Sequence, residues 1–333
     1  MRHYVTAVTL VLLVTAPQLA HSGGTPYHAS TSTTEIIMST EFSPSRRNLL
    51  AGVALAPALF ALPAFAASSD KNATLAQLKQ LEMKNKGRIG LVLLNDKGTT
   101  LLQYRAAERF PMCSTFKMML TACILQHSTS EPALLSRHIN FDKSALVPHS
   151  PVAEKHLGQG MSVQEMCAAT MDYSDNASAN LLLEQIGGPP ALRAYARGLG
   201  DPDFNLVNGE GHLASGAPGE KNDTTTPLAM AHSLHRLALG DGLPAPQRDQ
   251  LLAWMRANTT GDKRIRAAVP ANWTVADKTG GGDYGSTNDI ALLQRPGKSP
   301  LVLAIYFTQQ RKNAPLRDDV VAAAARVALA ALT

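Results

Sequence analysis

Strand-forming segments lie at the two ends of this 333-residue chain, with helix-forming segments between them. RIGLVLL, Arg88 to Leu94, and Thr99 to Tyr104 flank the turn Asn95-Asp96-Lys97-Gly98 and predict a hairpin. Near the far end, Thr274 to Lys278, Asp289 to Gln294 and the apolar Leu301 to Thr308 predict three more strands. Thr74 to Lys86 reads as a helix, and so does the alanine-rich Asp318 to Leu332, whose first turn is acidic. The two ends are therefore expected to supply one antiparallel sheet, with the middle of the chain inserted between them.

That middle, from about Ser114 to Trp254, is dominated by helical periodicity, with breaks at Gly158-Gln159-Gly160, Gly187-Gly188-Pro189-Pro190 and from Gly240 to Pro246. Gly198 to Asp223 has little periodicity and reads as a long loop, a kind of segment that is commonly functional. The expected fold is α/β of the α+β kind: an antiparallel sheet flanked by helices, formed by both termini, with an inserted all-α lobe. The expected boundaries are 67–105 plus 257–333 for the α/β lobe, and 106–256 for the helical lobe, including the loop 198–223. A site is expected where the lobes meet.

Residues 1–66 read as an export leader. A basic start and short apolar run are followed by a second such stretch from Met38, containing Ser45-Arg46-Arg47-Asn48-Leu49-Leu50, a twin-arginine export pattern. Ala64-Phe65-Ala66 fits a cleavage site. Met38 is therefore the expected start, and neither apolar run suits a membrane span of ~20 residues. The formal net charge of +5 comes without a dense basic cluster interleaved with aromatics, which argues against nucleic acid. Cys113, Cys123 and Cys167 form no CxxC pair and read as small buried hydrophobes. His232 and His235 are spaced like metal ligands but have no evident third partner, so no metal or cofactor is expected.

CSTFKMMLTACIL, from Cys113, carries the chemistry. Phe116, Met119, Leu120, Cys123 and Ile124 follow the rhythm of a buried helix face, and Lys117 sits at its mouth. Lys117 is three residues after Ser114, on the same helical face. A desolvated lysine titrates low and can serve as base to a serine hydroxyl, which is a weak nucleophile by itself. Ser174-Asp175-Asn176 follows before an apolar helix, and Lys278-Thr279-Gly280 follows on a predicted strand.

With S-x-x-K, SDN and KTG in this order, the chain resembles the class A serine β-lactamases over essentially its whole mature part. The resemblance implies hydrolysis of the β-lactam ring through a serine acyl-enzyme, conferring β-lactam resistance. It makes Ser114 the nucleophile, Lys117 its base directly or through water, and Ser174 a proton relay to the lactam nitrogen. It assigns Asn176 to the substrate side-chain amide, Lys278 and Thr279 to the substrate carboxylate, and the N–H groups of Ser114 and Gly281 to an oxyanion hole. Gly280 and Gly281 would let a backbone edge approach the ligand. Counting back from Asp223-Thr224-Thr225-Thr226-Pro227, Glu210 falls on the deacylating base. Arg264 is the expected second cation at the carboxylate pocket, because Thr287 leaves that role open, and His149 takes the place of an aromatic at the pocket gate.

The chain departs from the family pattern at three loop positions. Ala214 replaces an asparagine that helps hold the hydrolytic water, Gly211 replaces a proline, and Asn208 replaces an arginine that pairs with Asp223. These changes lead to the expectation of a loosely tied loop, with slower penicillin deacylation or a pocket widened for bulky cephalosporins. Gly282 stands where a disulfide partner of Cys113 is found in some carbapenem-hydrolysing members, so that bridge cannot form. The expected ligand is a small β-lactam, the expected state a monomer without membrane anchor, and the expected location the periplasm. A slowly deacylating penicillin-binding protein, discriminated by Glu210, or a β-lactam sensor, which would need a fused partner or membrane segment, is the alternative. Edman sequencing of the exported protein should begin at Ala67; a mature terminus upstream of Met38 would contradict this assignment.

Overall fold

The computed structural model describes residues 62–332, with side chains from residue 71. Met38 and the twin-arginine pattern lie outside the described residues. The chain opens with α1 (Leu62–Lys84) and the hairpin β1 (Gly87–Leu94) and β2 (Thr100–Tyr104). A two-residue strand, β3 (Phe110–Pro111), leads into α2 (Phe116–His127). Then come β4 (His138–Ile139), β5 (Met161–Ser162), α3 (Val163–Asp172), α4 (Asn176–Ile186) and α5 (Gly188–Gly198). β6 (Thr224–Thr225), α6 (Pro227–Ala238) and α7 (Ala245–Ala257) return the chain to β7 (Thr274–Gly282), β8 (Ser286–Arg295), β9 (Lys298–Gln309) and α8 (Asp318–Ala330).

The two ends do meet in one sheet. Its order is β2-β1-β9-β8-β7, antiparallel throughout. β1 pairs with β9 along its whole length, from Gly87 opposite Gln309 to Leu94 opposite Val302. Side chains alternate across a sheet, so Leu91, Leu93, Leu303 and Ile305 face α1 and α8, while Val92, Leu94, Ala304 and Tyr306 face the helices of the insert. Burial on both faces explains why RIGLVLL and LVLAIYFT are continuous apolar runs rather than alternating ones. The insert is helical apart from two two-residue ladders, β3 with β6 and β4 with β5. One of its helices, α6, packs on the sheet itself, against β1, β8 and β9.

α2 is the axle of the insert. Its first ten residues are all buried, and α3, α4, α5 and α7 surround it. A helix buried all round has no polar face, which is why its sequence carries so little besides Met, Leu, Ala, Cys and Ile. Sequence reasoning ended the first C-terminal strand at Lys278 and began the next at Asp289. In the structure both continue, with Gly280 opposite Asn288 and Gly282 opposite Ser286. Glycine is weak strand former material, but here it lets β7 press on the start of α2: a Cβ on Gly280 would lie 2.8 Å from the carbonyl oxygen of Met112.

Asp175 ties the helices to the site. Its Oδ1 accepts from Ser178 N at 2.9 Å and caps α4, while Oδ2 accepts from Val152 N at 2.8 Å and Ala153 N at 3.0 Å. Removing a partner from buried N–H groups costs ~1–3 kcal/mol for each one stranded. Asp175→Ala should therefore lower unfolding stability by at least ~2 kcal/mol in urea titrations, and a variant within experimental error of the parent would contradict the assigned role.

Candidate active site

Ser114 sits in the single 3₁₀ turn Cys113–Thr115 that feeds α2. The turn is held from both sides. Met112 N donates to Asp223 O at 2.9 Å, and Asn288 Nδ2 donates to the carbonyls of Pro111 and Met112 at 2.8 and 3.1 Å. Cys113 takes a left-handed φ of 45°, which turns the backbone sharply before the helix starts.

One turn into the helix, Lys117 is fully buried. Its Nζ reaches four oxygens: Ser174 O at 2.7 Å, Ser174 Oγ at 3.3 Å, Asn176 Oδ1 at 2.5 Å and Glu210 Oε1 at 2.9 Å. Burial pulls the amine below the ordinary lysine range, and the negative charge and hydrogen bond of Glu210 oppose that pull without cancelling it. The same Glu210 Oε1 accepts from Ser114 Oγ at 3.2 Å. One carboxylate oxygen thus joins the hydroxyl and the amine, and the recorded hydrogen bond of Ser114 goes to Glu210 rather than to Lys117.

Glu210 comes from the long loop and is 5% exposed. Its backbone is clamped by a residue that sequence reasoning missed: Glu210 N donates to Asn180 Oδ1 at 2.8 Å, and Asn180 Nδ2 donates to Glu210 O at 3.1 Å. Asn180 lies four residues after Asn176 on α4, so the two share one helix face; that spacing was the only available signal.

At the loop neck the ion pair is absent, as expected, and a side-chain hydrogen bond from Asn208 stands in its place. Asp223 Oδ1 accepts from Val207 N at 2.6 Å and Asn208 N at 3.0 Å, and its Oδ2 accepts from Asn208 Nδ2 and Ala214 N at 2.8 and 2.7 Å. Asp223 thus gathers four hydrogen bonds, three of them from backbone N–H groups. Gly211 adopts a φ of +86°, open to glycine and closed to proline.

The remaining predicted residues converge on the same place, with two qualifications. Lys278 Nζ donates to Ser174 Oγ at 3.1 Å and Thr279 O at 3.0 Å, and Ser174 itself holds a left-handed φ of 59°. Asn176 is already engaged at both ends, since Nδ2 donates to Pro148 O at 2.8 Å; its second amide N–H is the one with capacity for a ligand. Gly280 and Gly281 form the edge of β7 beside Ser114 N, which would lie 3.2 Å from a Cβ on Gly280. His149, exposed, bonds Tyr173 O at 3.0 Å and accepts Asn176 N on its carbonyl, which puts it on the rim.

Arg264 is the first qualification. It is buried behind β7, with Nη1 donating to Gly280 O and Asn288 O at 2.8 and 2.7 Å and Nε to Asp318 at 2.7 Å. Those atoms brace the strand; only Nη2 approaches Gly281. Cys113 is the second. Its Sγ lies 2.9 Å from where a Cβ on Gly282 would be, and burial together with Glu210 pushes the thiol up to about 12. All three cysteines are free thiols.

A cavity of about 240 Å³ opens here, lined by Cys113, Gly211, Ala214, Gly281 and Asp283 among others. A larger one of about 550 Å³ lies behind the loop, against Arg88, Arg109 and Lys221. The larger is lined by none of the converging groups; the smaller borders them through Gly281 and through Cys113 and Gly211, the chain neighbours of Ser114 and Glu210.

A hydroxyl, a buried amine and a carboxylate joined through one carboxylate oxygen suit acyl transfer. Comparison with known proteins agrees. Residues 74–332 match the model of the Beta-lactamase enzyme family. The chain belongs to that family. It is 45% identical to beta-lactamase OXY-1 of Klebsiella oxytoca over 282 residues, 85% of this chain and 96% of the relative. It is 46% identical to the carbapenem-hydrolyzing beta-lactamase KPC of Klebsiella oxytoca over 272 residues, 81% and 93% of the two. The crystal structure of a beta-lactamase from Desulfarculus baarsii DSM 2075 superposes with a TM-score of 0.77 at 47% identity, covering 79% of this chain and 98% of that one. The protein is an enzyme that hydrolyses β-lactams.

Lys278 is held down to about 7 by burial and by the nearby Lys117, against the opposing charges of Asp277 and Glu210. It is cationic below that pH and neutral above it, so a carboxylate ligand loses its attraction as pH rises. KM for a penicillin should climb above pH 7, by up to about tenfold per unit. Lys278→Arg, with a guanidinium that stays charged, should flatten the profile; a slope unchanged in that variant would contradict this assignment.

Proposed function

We propose that hydrolysis follows the class A route through an acyl-enzyme on Ser114. The observation that carries this reading is the position of Glu210 Oε1, 3.2 Å from Ser114 Oγ and 2.9 Å from Lys117 Nζ. Ser114 Oγ attacks the lactam carbonyl and gives its proton to Lys117 Nζ, directly or through water. The carbonyl oxygen takes negative charge between the N–H groups of Ser114 and Gly281. The C–N bond of the ring then breaks, and the nitrogen takes a proton from Ser174 Oγ, which Lys117 resupplies across 3.3 Å. Glu210 next removes a proton from water, whose oxygen attacks the ester carbon; the bond to Ser114 Oγ breaks, and the proton on Glu210 passes to that oxygen across 3.2 Å.

Lys278 and Thr279 bind the substrate carboxylate, Asn176 binds the side-chain amide, and His149 borders the entrance. Arg264 acts behind them, keeping β7 in place. Residues 67–105 plus 257–333 form one lobe and 106–256 the other, with the cleft between. The protein is exported through the twin-arginine route to the periplasm after removal of residues 1–66, and it works there as a monomer. No helix among the described residues is long and apolar enough to cross a membrane.

The resistance-conferring role needs turnover, and Glu210 is the group that separates turnover from mere acylation. Glu210→Gln keeps the shape and removes the base. Mixed with benzylpenicillin, it should show in intact-protein mass spectrometry a persistent adduct of the whole drug, with kcat lowered by ~10²-fold or more. Wild-type turnover in this variant would overturn the role, and absence of any adduct on a folded Ser114-containing protein would overturn the acyl-enzyme.

A further inference from the structure

We infer that Thr260 controls the direction of the Thr279 hydroxyl and so limits how tightly the site holds its substrate's carboxylate; this rests on the proposed role of Thr279 as a carboxylate ligand. Thr279 lies on β7 and is 4% exposed. Its Oγ1 is in hydrogen-bond contact with Thr260 Oγ1, which lies three residues beyond α7. Either oxygen of such a pair can donate in isolation. Here the surroundings decide.

Asn258 is the deciding neighbour, itself buried. Its Oδ1 accepts from Thr260 N at 3.0 Å and lies 2.7 Å from Thr260 Oγ1, while its Nδ2 donates to Asp277 Oδ2 at 2.8 Å. A backbone N–H only donates, so the amide oxygen of Asn258 must be the end that faces Thr260. An amide oxygen only accepts, so the Thr260 hydroxyl must spend its single proton on it. Nothing is left for Thr260 to give to Thr279. Between the two threonines, Thr279 is therefore the donor, and its proton points away from the pocket.

A carboxylate accepts and does not donate. It meets the lone pairs of Thr279 first. Binding then requires the chain to reverse: the Thr279 proton turns to the carboxylate, and the Thr260 proton turns from Asn258 to Thr279. Asn258 Oδ1 keeps its bond from Thr260 N. The rotation breaks no covalent bond. One neutral hydrogen bond is exchanged for a charge-assisted one, and the affinity is less than it would be if the Thr279 proton already faced the pocket.

Thr260→Val removes the internal acceptor and donor while keeping the side-chain shape and the Thr260 N–H bond. It should lower KM for benzylpenicillin about three- to tenfold, the worth of one neutral hydrogen bond, with kcat unchanged. KM for the methyl ester of the same penicillin, which lacks the carboxylate, should not move. Thr260→Ser restores the hydroxyl and should restore the wild-type KM. An unchanged or raised KM for the acid in Thr260→Val overturns the inference, as does an equal change for acid and ester.

Thr279→Val separates the two levels. If it fails to weaken the acid relative to the ester, the carboxylate role of Thr279 falls. If it does weaken the acid but Thr260→Val brings no gain, the relay alone falls. Neutron diffraction of the ligand-free wild-type protein gives a second, mutation-free test: the Thr279 deuteron should lie on the line to Thr260 Oγ1, and a deuteron on Thr260 directed at Thr279 contradicts the inference.

Discussion

Everything in the site depends on a lysine amine placed where water cannot reach it. An isolated buried ammonium is very costly, and Lys117 is made tolerable by oxygens of three residues on two segments: Ser174 and Asn176 at the head of α4, and Glu210 from the loop. There are four such oxygens, whereas an ammonium has three protons. All of these oxygens favour the charged form of Lys117, and burial is what opposes it. Burial then keeps its proton loosely held, which is the property a proton carrier needs near neutral pH.

That requirement explains features remote from the chemistry. The loop must deliver the Glu210 carboxylate to within hydrogen-bond distance of both partners, so its backbone is clamped by Asn180 and its two ends are gathered by Asp223. The turn carrying Ser114 must face β7 closely enough for backbone donors from both to converge, so β7 carries glycines there and Asn288 draws the turn against the sheet. The ends of the chain meet in the sheet, and the insert between them brings α2 and α4 against it; the site forms where those elements converge.

The fold was legible because its signals are local. Apolar runs such as RIGLVLL and LVLAIYFT announce buried strands, and the period of the segment after Phe116 announces a buried helix. Ser114, Lys117 and the KTG strand were legible because S-x-x-K, SDN and KTG in this order resemble a family's motif set. Asn180, Asn258, Thr260 and Asn288 were not, since each acts on a partner at least two residues and up to 177 residues away, through an amide or hydroxyl that occurs in many surface positions. The further ties at the loop neck were illegible for a different reason. A missing arginine was visible in the sequence, but the backbone N–H groups of Val207, Asn208 and Ala214, which take over its work on Asp223, leave no trace in side-chain identity.

The most direct measurement is the titration of Lys117 itself, followed by NMR of a side-chain ε-carbon label in the ligand-free enzyme. The account predicts a pKa below the ordinary lysine value of ~10.4, falling further when Glu210 is replaced by glutamine, because the opposing charge is gone. A lysine that titrates at or above its ordinary value, indifferent to Glu210, would contradict it.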